Sequence, residues 1–233
     1  MKKLVLAAVT LASAASVFAQ GTVNFNLRVS GTSHIYAPLG VTDTTAIIGQ
    51  GTNDGVPSGT TSYGARSLIG ATLASAQTTL ISILGGPSGS AESSLLPGAL
   101  GSSIGGGTAT TFRTGSAAGA NAAAFATFSN IPGDAGVANF EVVAWDNSSG
   151  QYSTWALASV AWANGLIAAG KSHLFDLHQI GGSTFTSPPI FPTTTSADTV
   201  AMESFNLYWV PEPSTFALAG LGAAALMIFR RRK

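Results

Sequence analysis

The chain has 233 residues, 9% charged and 45% hydrophobic, and no cysteine, which excludes disulfides, thiolate metal sites and cysteine nucleophiles. Six of its ten bases are Lys2, Lys3, Arg230, Arg231, Arg232 and Lys233, which leaves Arg28, Arg66, Arg113 and Lys171 against nine acids in residues 20–209. The net charge of about −5 over that stretch excludes nucleic acid as a natural partner, because phosphate binding needs clustered cations.

The N-terminus comes in three parts. Met1-Lys2-Lys3 is a short positive region, and Leu4 to Ala15 is a twelve-residue run without charge. Val17-Phe18-Ala19 then sets short side chains at the −3 and −1 positions of a cleavage site between Ala19 and Gln20. This order predicts a removable secretory signal peptide over residues 1–19, handled by the Sec translocon and signal peptidase.

Residues 20–209 are enough for one domain with its own core. Thr22 to Val29 alternates strictly, with Val23, Phe25, Leu27 and Val29 on one side, and is the clearest strand. Weaker strands are predicted over 70–74, 79–84, 108–113, 123–128, 138–145, 172–178 and 204–209. Turn-rich clusters such as Gly49–Gly59, Gly85–Ser90 and Asn130–Gly136 separate them. Two Gly/Ala/Ser runs, 97–107 and 115–124, read as loops, and the polar stretch 32–61 as a partly ordered excursion. Between the strands at 138–145 and 172–178 lies one helical signal, Trp155 to Ala169, with Trp155, Ser159, Trp162 and Leu166 at helical spacing and Ser153 or Thr154 as cap. Many short strands with turn signals between them predict a mainly β, antiparallel sandwich-like domain with one short helix covering one end.

Chemistry-bearing patterns in this stretch are sparse. Gly101-Ser102-Ser103-Ile104-Gly105 matches the G-x-S-x-G nucleophile elbow. That motif requires a strand before it and a helix after it, and here Pro97-Gly98 and Gly106-Gly107 break both. Asp176 and His178 share a strand face as a weak metal or acid–base pair, whereas His173 points the other way and His34 is remote in sequence. Asp146-Asn147-Ser148-Ser149-Gly150 lacks the closing acid of a calcium loop and reads as a tight hairpin turn. Asn147-Ser148-Ser149 also matches a glycan sequon, a frequent pattern in Ser-rich chains. Trp145, Trp155, Trp162 and Trp209, with Tyr152 and Tyr208, are candidates for a sugar-stacking platform, although the i, i+7 spacing of Trp155 and Trp162 favours core contacts from one helix face. No catalytic, cofactor or metal residues are assigned, and the expectation is a protein that is not an enzyme.

The C-terminus has its own three parts. Val210-Pro211-Glu212-Pro213 is a rigid polar break, since its prolines fix φ and withhold backbone donors. Ser214 to Phe229 follows as sixteen uncharged residues, and Arg230, Arg231, Arg232 and Lys233 close the chain. A sixteen-residue helix reaches only ~24 Å against a hydrocarbon core of ~30 Å. The four cations extend that reach by snorkelling, and they keep the end cytoplasmic as a membrane stop. Residues 210–233 resemble the PEP-CTERM sorting signal of Gram-negative bacteria. The resemblance implies recognition by exosortase, a multi-pass membrane transpeptidase-like enzyme, and an association with exopolysaccharide and biofilm systems. Five segments of the body, Phe112-Arg113-Thr114-Gly115, Ala144-Trp145-Asp146, Gly170-Lys171-Ser172, Gly181-Gly182 and Pro188-Pro189, also resemble an uncharacterised group of PEP-CTERM proteins.

Together these features predict three parts: a signal peptide over 1–19, an extracytoplasmic domain over 20–209, and a sorting signal over 210–233 with a transmembrane helix at 214–229. The expected protein is exported through the inner membrane, anchored transiently or permanently, and delivered to the cell surface or extracellular matrix. Its leading role is structural, with extracellular polysaccharide as a partner. A carbohydrate-binding module or adhesin is the second reading.

Overall fold

The structure is a computed structural model that describes residues 20–29, 32–52, 54–55, 59–101, 107–191 and 202–211. The signal segment, Ser103 of the G-x-S-x-G match and the tail from Glu212 onward lie outside the described residues.

The described part is mainly β, built on two antiparallel sheets. The first holds β1 (Gln20–Phe25), β5 (Ala99–Leu100) and β6 (Ala124–Pro132), with β6 in the middle. The second is organised by a long ladder between β3 (Thr79–Pro87) and β7 (Val137–Asp146), whose pairing runs from Thr79↔Asp146 to Pro87↔Ala138. β4 (Leu96–Pro97) pairs with the free side of β3. Two short strands, β8 (Ala169–Lys171) and β9 (Phe175–His178), share the other edge of β7. A small parallel pair joins β2 (Ile35–Tyr36) to β10 (Phe205–Asn206).

The sheets face each other across one core. Val23 and Phe25 of β1 and Ala126 and Phe128 of β6 meet Ile81, Ile83, Phe140 and Val142 of the second sheet, all of them buried. Phe128 and Phe140 are in edge contact at 5.3 Å between ring centroids. Removing each of these valine, isoleucine and phenylalanine side chains from water is worth about 1.5–3 kcal/mol. β6 obeys the period of two, with Phe125 turned outward, whereas β7 is buried on both faces. The second face of β7 is covered by the helix α2 (Trp155–Ala163), whose Ala158 and Ala161 pack with Val143, Trp145 and Ala169.

Several sequence expectations change. The strand predicted over 70–74 is instead a turn leading into a second helix, α1 (Leu73–Thr78), so the described residues hold two α-helices where the domain was expected to have one. The Thr72 side chain accepts from the Ser75 N–H, and this cap starts a helix where alternation alone reads a strand. β1 ends at Phe25, short of the predicted Val29, because Asn26 turns the chain and Leu27 N–H bonds to Asn121 Oδ1 instead. Residues 108–113 contribute only single bridges, Ile81↔Thr110 and Phe112↔Asn121. Gly85 and Gly86, read as the start of a turn, continue β3. The Phe128 and Phe140 rings close over Gly85 so tightly that a Cβ there would lie 2.8 Å from both. The helix ends at Ala163, which leaves Leu166 beyond it and exposed, and Thr154 holds the cap position without a side-chain bond.

Candidate functional site

The last described residues form the point at which the fold hands the chain to its tail. β10 pairs with β2, after which Tyr208 and Ala169 exchange backbone hydrogen bonds of 2.9 and 3.2 Å. Trp162 of α2 donates its indole N–H to the Tyr208 carbonyl at 3.0 Å and stacks edge-on against the Tyr208 ring. On the other side of the same strand, Trp209 N–H donates to the Asp43 carbonyl at 2.8 Å. The Asp43 carboxylate is gripped by Arg66 through two bonds of 2.9 and 2.7 Å. Burial opposes its charge, but the Arg66 guanidinium and the Leu39 and Thr45 N–H groups hold its pKa below the usual carboxylate value. Val210 is half-buried and Pro211 is exposed, so the strand is fastened on both sides up to the residue where the polar break begins.

A second constellation lies in the stretch read as a polar excursion. His34 Nδ1 is 2.5 Å from Asp54 Oδ1, while Asp54 Oδ2 accepts from Ser204 Oγ at 2.6 Å and from the Gly51 N–H. Gln50 Oε1 accepts from Ser33 Oγ and from the Ser204 N–H, and lies 3.1 Å from the Ser204 hydroxyl, whose one proton has its shorter contact with Asp54. Serine, histidine and aspartate therefore meet, but not in the order that activates a nucleophile. Ser204 bonds to the carboxylate, and its contact with His34 is the backbone N–H, not the imidazole. The cluster fastens the segment around residue 50 to β2 and to the residues before β10. Above it, Tyr36 and Tyr63 stack at 3.9 Å. They line a cleft of about 330 Å³ with Thr52, Thr60, Thr61 and Arg66. Burial, reinforced by the Asp54 charge, pushes the Tyr36 hydroxyl up to about 12, and that of Tyr63 higher still, so both remain neutral donors.

Comparison with known proteins bears on the end of the chain. Residues 210–233 match the family model of the PEP-CTERM protein-sorting motif. The chain carries a PEP-CTERM sorting motif. It is accordingly an exported, membrane-associated protein that is sorted to the cell surface by exosortase. No curated protein and no solved structure matches the chain. Of the motif, Val210 and Pro211 directly follow Trp209, the last described residue held by a backbone bond to the body. Glu212, Pro213 and the cations Arg230, Arg231, Arg232 and Lys233 lie outside the described residues. Ala19 also lies outside, and Gln20 opens β1. Among the described residues no helix is long and apolar enough to cross a membrane, and the predicted span 214–229 is not among them.

The remaining candidates separate clearly. Asp176 is bonded by the Asn139 side-chain amide, and exposed His173 lies before β9 and contacts half-buried Glu203 at 2.9 Å. Among the described residues no three His, Asp or Glu side chains are grouped to hold a metal ion. Asp146-to-Gly150 is a turn, with Ser148 N–H on Asp146 Oδ1 and Tyr152 N–H on Asn147 Oδ1, but it leads into α2 and makes no hairpin. Trp145, Trp155, Trp162 and Tyr208 form a ladder of rings under and beside α2, with centroids 5.7, 6.0 and 5.1 Å apart. The body segments singled out in the sequence also fall on structural positions. Phe112 and Trp145 are buried, and Lys171 pairs with Glu92 and lies 3.7 Å from buried Glu141. Gly182 lies against Asp134, whose carboxylate accepts from Ser183, Thr184 and Phe185 N–H groups. Sequence reading missed the His34–Asp54–Ser204 cluster, because its members are 20 and 150 residues apart and no local spacing links them.

Proposed function

We propose that the chain is a structural component of the cell surface or extracellular matrix, associated with exopolysaccharide and without catalytic activity of its own. Its three parts are a signal peptide over 1–19, a β-rich domain over 20–209 and the sorting signal. The observation that carries this reading is the exit strand: the fold invests paired backbone, Trp162 and the Arg66–Asp43 clamp in presenting Pro211. The polar clusters of the body are, by contrast, spent on fastening loops. Intact mass spectrometry of the native protein tests the processing. Surface material should lack residues 1–19 and the tail, and Glu212→Ala should retain the tail and hold the protein in the inner membrane. Full-length tail in wild-type surface material would instead mean permanent anchoring. Orientation has a separate test: a reporter active only outside the inner membrane should work near Gly150 and fail after Lys233.

The cleft under Tyr36 and Tyr63 favours a second reading, a carbohydrate-binding module or adhesin. Its hydroxyl-rich walls and Arg66 suit a polyol better than an apolar ligand. Retention of residues 20–209 on the producing cell's own polysaccharide, lost in Tyr36→Ala, would select it.

A further inference from the structure

The outward half of α2 is composed unlike a solvent-facing helix. Its exposed residues are Ala156, Leu157, Val160 and Ala163, which recur at the spacing of one helix face, and no residue of Trp155–Ala163 is charged. Ser159, its one polar side chain, bonds back to the Ala156 carbonyl. A helix apolar on every side belongs in apolar surroundings on every side. The sheet supplies them only for the inner half, through Val143, Trp145 and Ala169.

The place of this face in the fold identifies what meets the outer half. Trp162 of the same helix is bonded to Tyr208, three residues before the exposed Pro211. On the opposite side of the exit strand, the turn that ends at Asp43 carries Leu39 and Val41. Leu39, Val41, Leu157, Val160 and Leu166 are each more than half exposed, and these five flank the exit among nine exposed large apolar side chains in the described residues. The uncharged segment of the tail starts at Ser214, so from Pro211 the chain has three residues, about 10 Å, before it begins. The body is net negative, which leaves electrostatic attraction to anionic lipid out of the account.

We propose that, while the tail is attached, the outer face of α2 lies on the bilayer into which the tail inserts, with Leu157 and Val160 at the boundary between headgroups and acyl chains. This rests on the reading of 214–229 as an anchor. Trp155, Trp162 and Tyr208 then sit at the level where amphipathic rings collect in membrane proteins. So small an apolar face holds only because the tail keeps it at high effective concentration, and it lets go once the tail is removed. The contact fixes how Val210 and Pro211 are offered to a membrane-embedded processing enzyme.

The chain has no cysteine, so single cysteines can be labelled without background. The full-length protein is reconstituted in vesicles of phosphatidylethanolamine and phosphatidylglycerol, with a nitrobenzoxadiazole label on Leu157→Cys, Val160→Cys or Phe125→Cys. Phe125 is exposed on the outer face of the opposite sheet and serves as control. Nitroxide-bearing lipid should quench the labels at 157 and 160 roughly threefold more than the label at 125, and the difference should vanish in a chain ending at Pro211. Equal quenching at all three positions in vesicles that still float with the protein overturns the proposal and leaves the anchor standing. Failure of the full-length chain to float overturns the anchor reading, and the proposal falls with it. Labels at 157 and 160 that escape lipid quenching but quench one another between protein copies would make the face a dimer contact, which also overturns it.

Discussion

Strands β6 and β7 pack against each other across the core, yet one is wet on its outer side and the other is dry on both. On β6, Phe125 stands in solvent between buried Ala124 and Ala126. On β7, Phe140 and Val142 face the other sheet while Val143 and Trp145 lie under α2. The dry strand also carries Glu141, 3% exposed, in the same layer as the helix. Two consequences follow from the difference. A charge becomes costly on the covered face, and side-chain volume becomes critical between the sheets.

The sharpest contrast is in ring truncation. Phe140→Ala should cost about 3–5 kcal/mol in urea unfolding, because its ring is fully buried against Phe128 and Phe175. A cost under about 1 kcal/mol would mean that the sheets do not close over it.

Glu141 gives the next largest effect. Burial lifts its pKa from 4.5 to about 7, with Lys171 partly offsetting and Glu92 adding to the rise. Burial likewise works against the charge of Lys171, but its bond to Glu92 and the nearby Glu141 keep its own pKa raised. Between pH 4.5 and 7 the folded protein therefore keeps a proton on Glu141 that the unfolded chain has released. Its contribution makes stability fall as pH rises through that window, by about 2–3 kcal/mol, and then level off. Unfolding free energies from pH 4 to 8 should show that slope in the native chain and lose it in Glu141→Gln. Parallel profiles for the two would refute the assignment.

Gly85→Ala should cost about 1–3 kcal/mol by forcing a methyl group between the Phe128 and Phe140 rings. The double variant Gly85→Ala/Phe140→Leu, with the smaller side chain making room, should recover part of that loss in the same unfolding assay. Phe125→Ala, on the wet side of β6, should change stability by about 0.5 kcal/mol or less. A larger loss there would show that the outer face of β6 is covered by something in solution.

The sequence made β6 and β7 legible to different depths. Alternation located β1 and β6, since a half-buried strand writes its two environments into successive residues. It located β7 as well, but the double burial could only be suspected from Val143 and Trp145 lying opposite Phe140. Where alternation was short or broken, the reading failed. Residues 70–74 turn into a capped helix, Leu73–Thr78, and the ladder of β3 runs on through two glycines. In the candidate site, the sorting motif was legible because its signal is contiguous, whereas the Ser-rich match around Ser103 drew attention only through composition.

By itself, the sequence determined what depends on neighbours along the chain: a proline-broken sorting motif, followed by an uncharged segment and its closing cations. A contiguous motif of this kind is defined by its own linear order, so spacing suffices. Tertiary structure alone decided what depends on neighbours in space. It showed how Trp162, favoured in the sequence as a core contact, joins the ladder of rings that fastens α2 to Tyr208. It joined His34, Asp54 and Ser204 from three distant segments into a buried tie with the hydroxyl on the wrong partner for catalysis. The reason is physical: hydrogen-bond partnership and burial are set by chain closure over long sequence separations, for which no local periodicity can stand in.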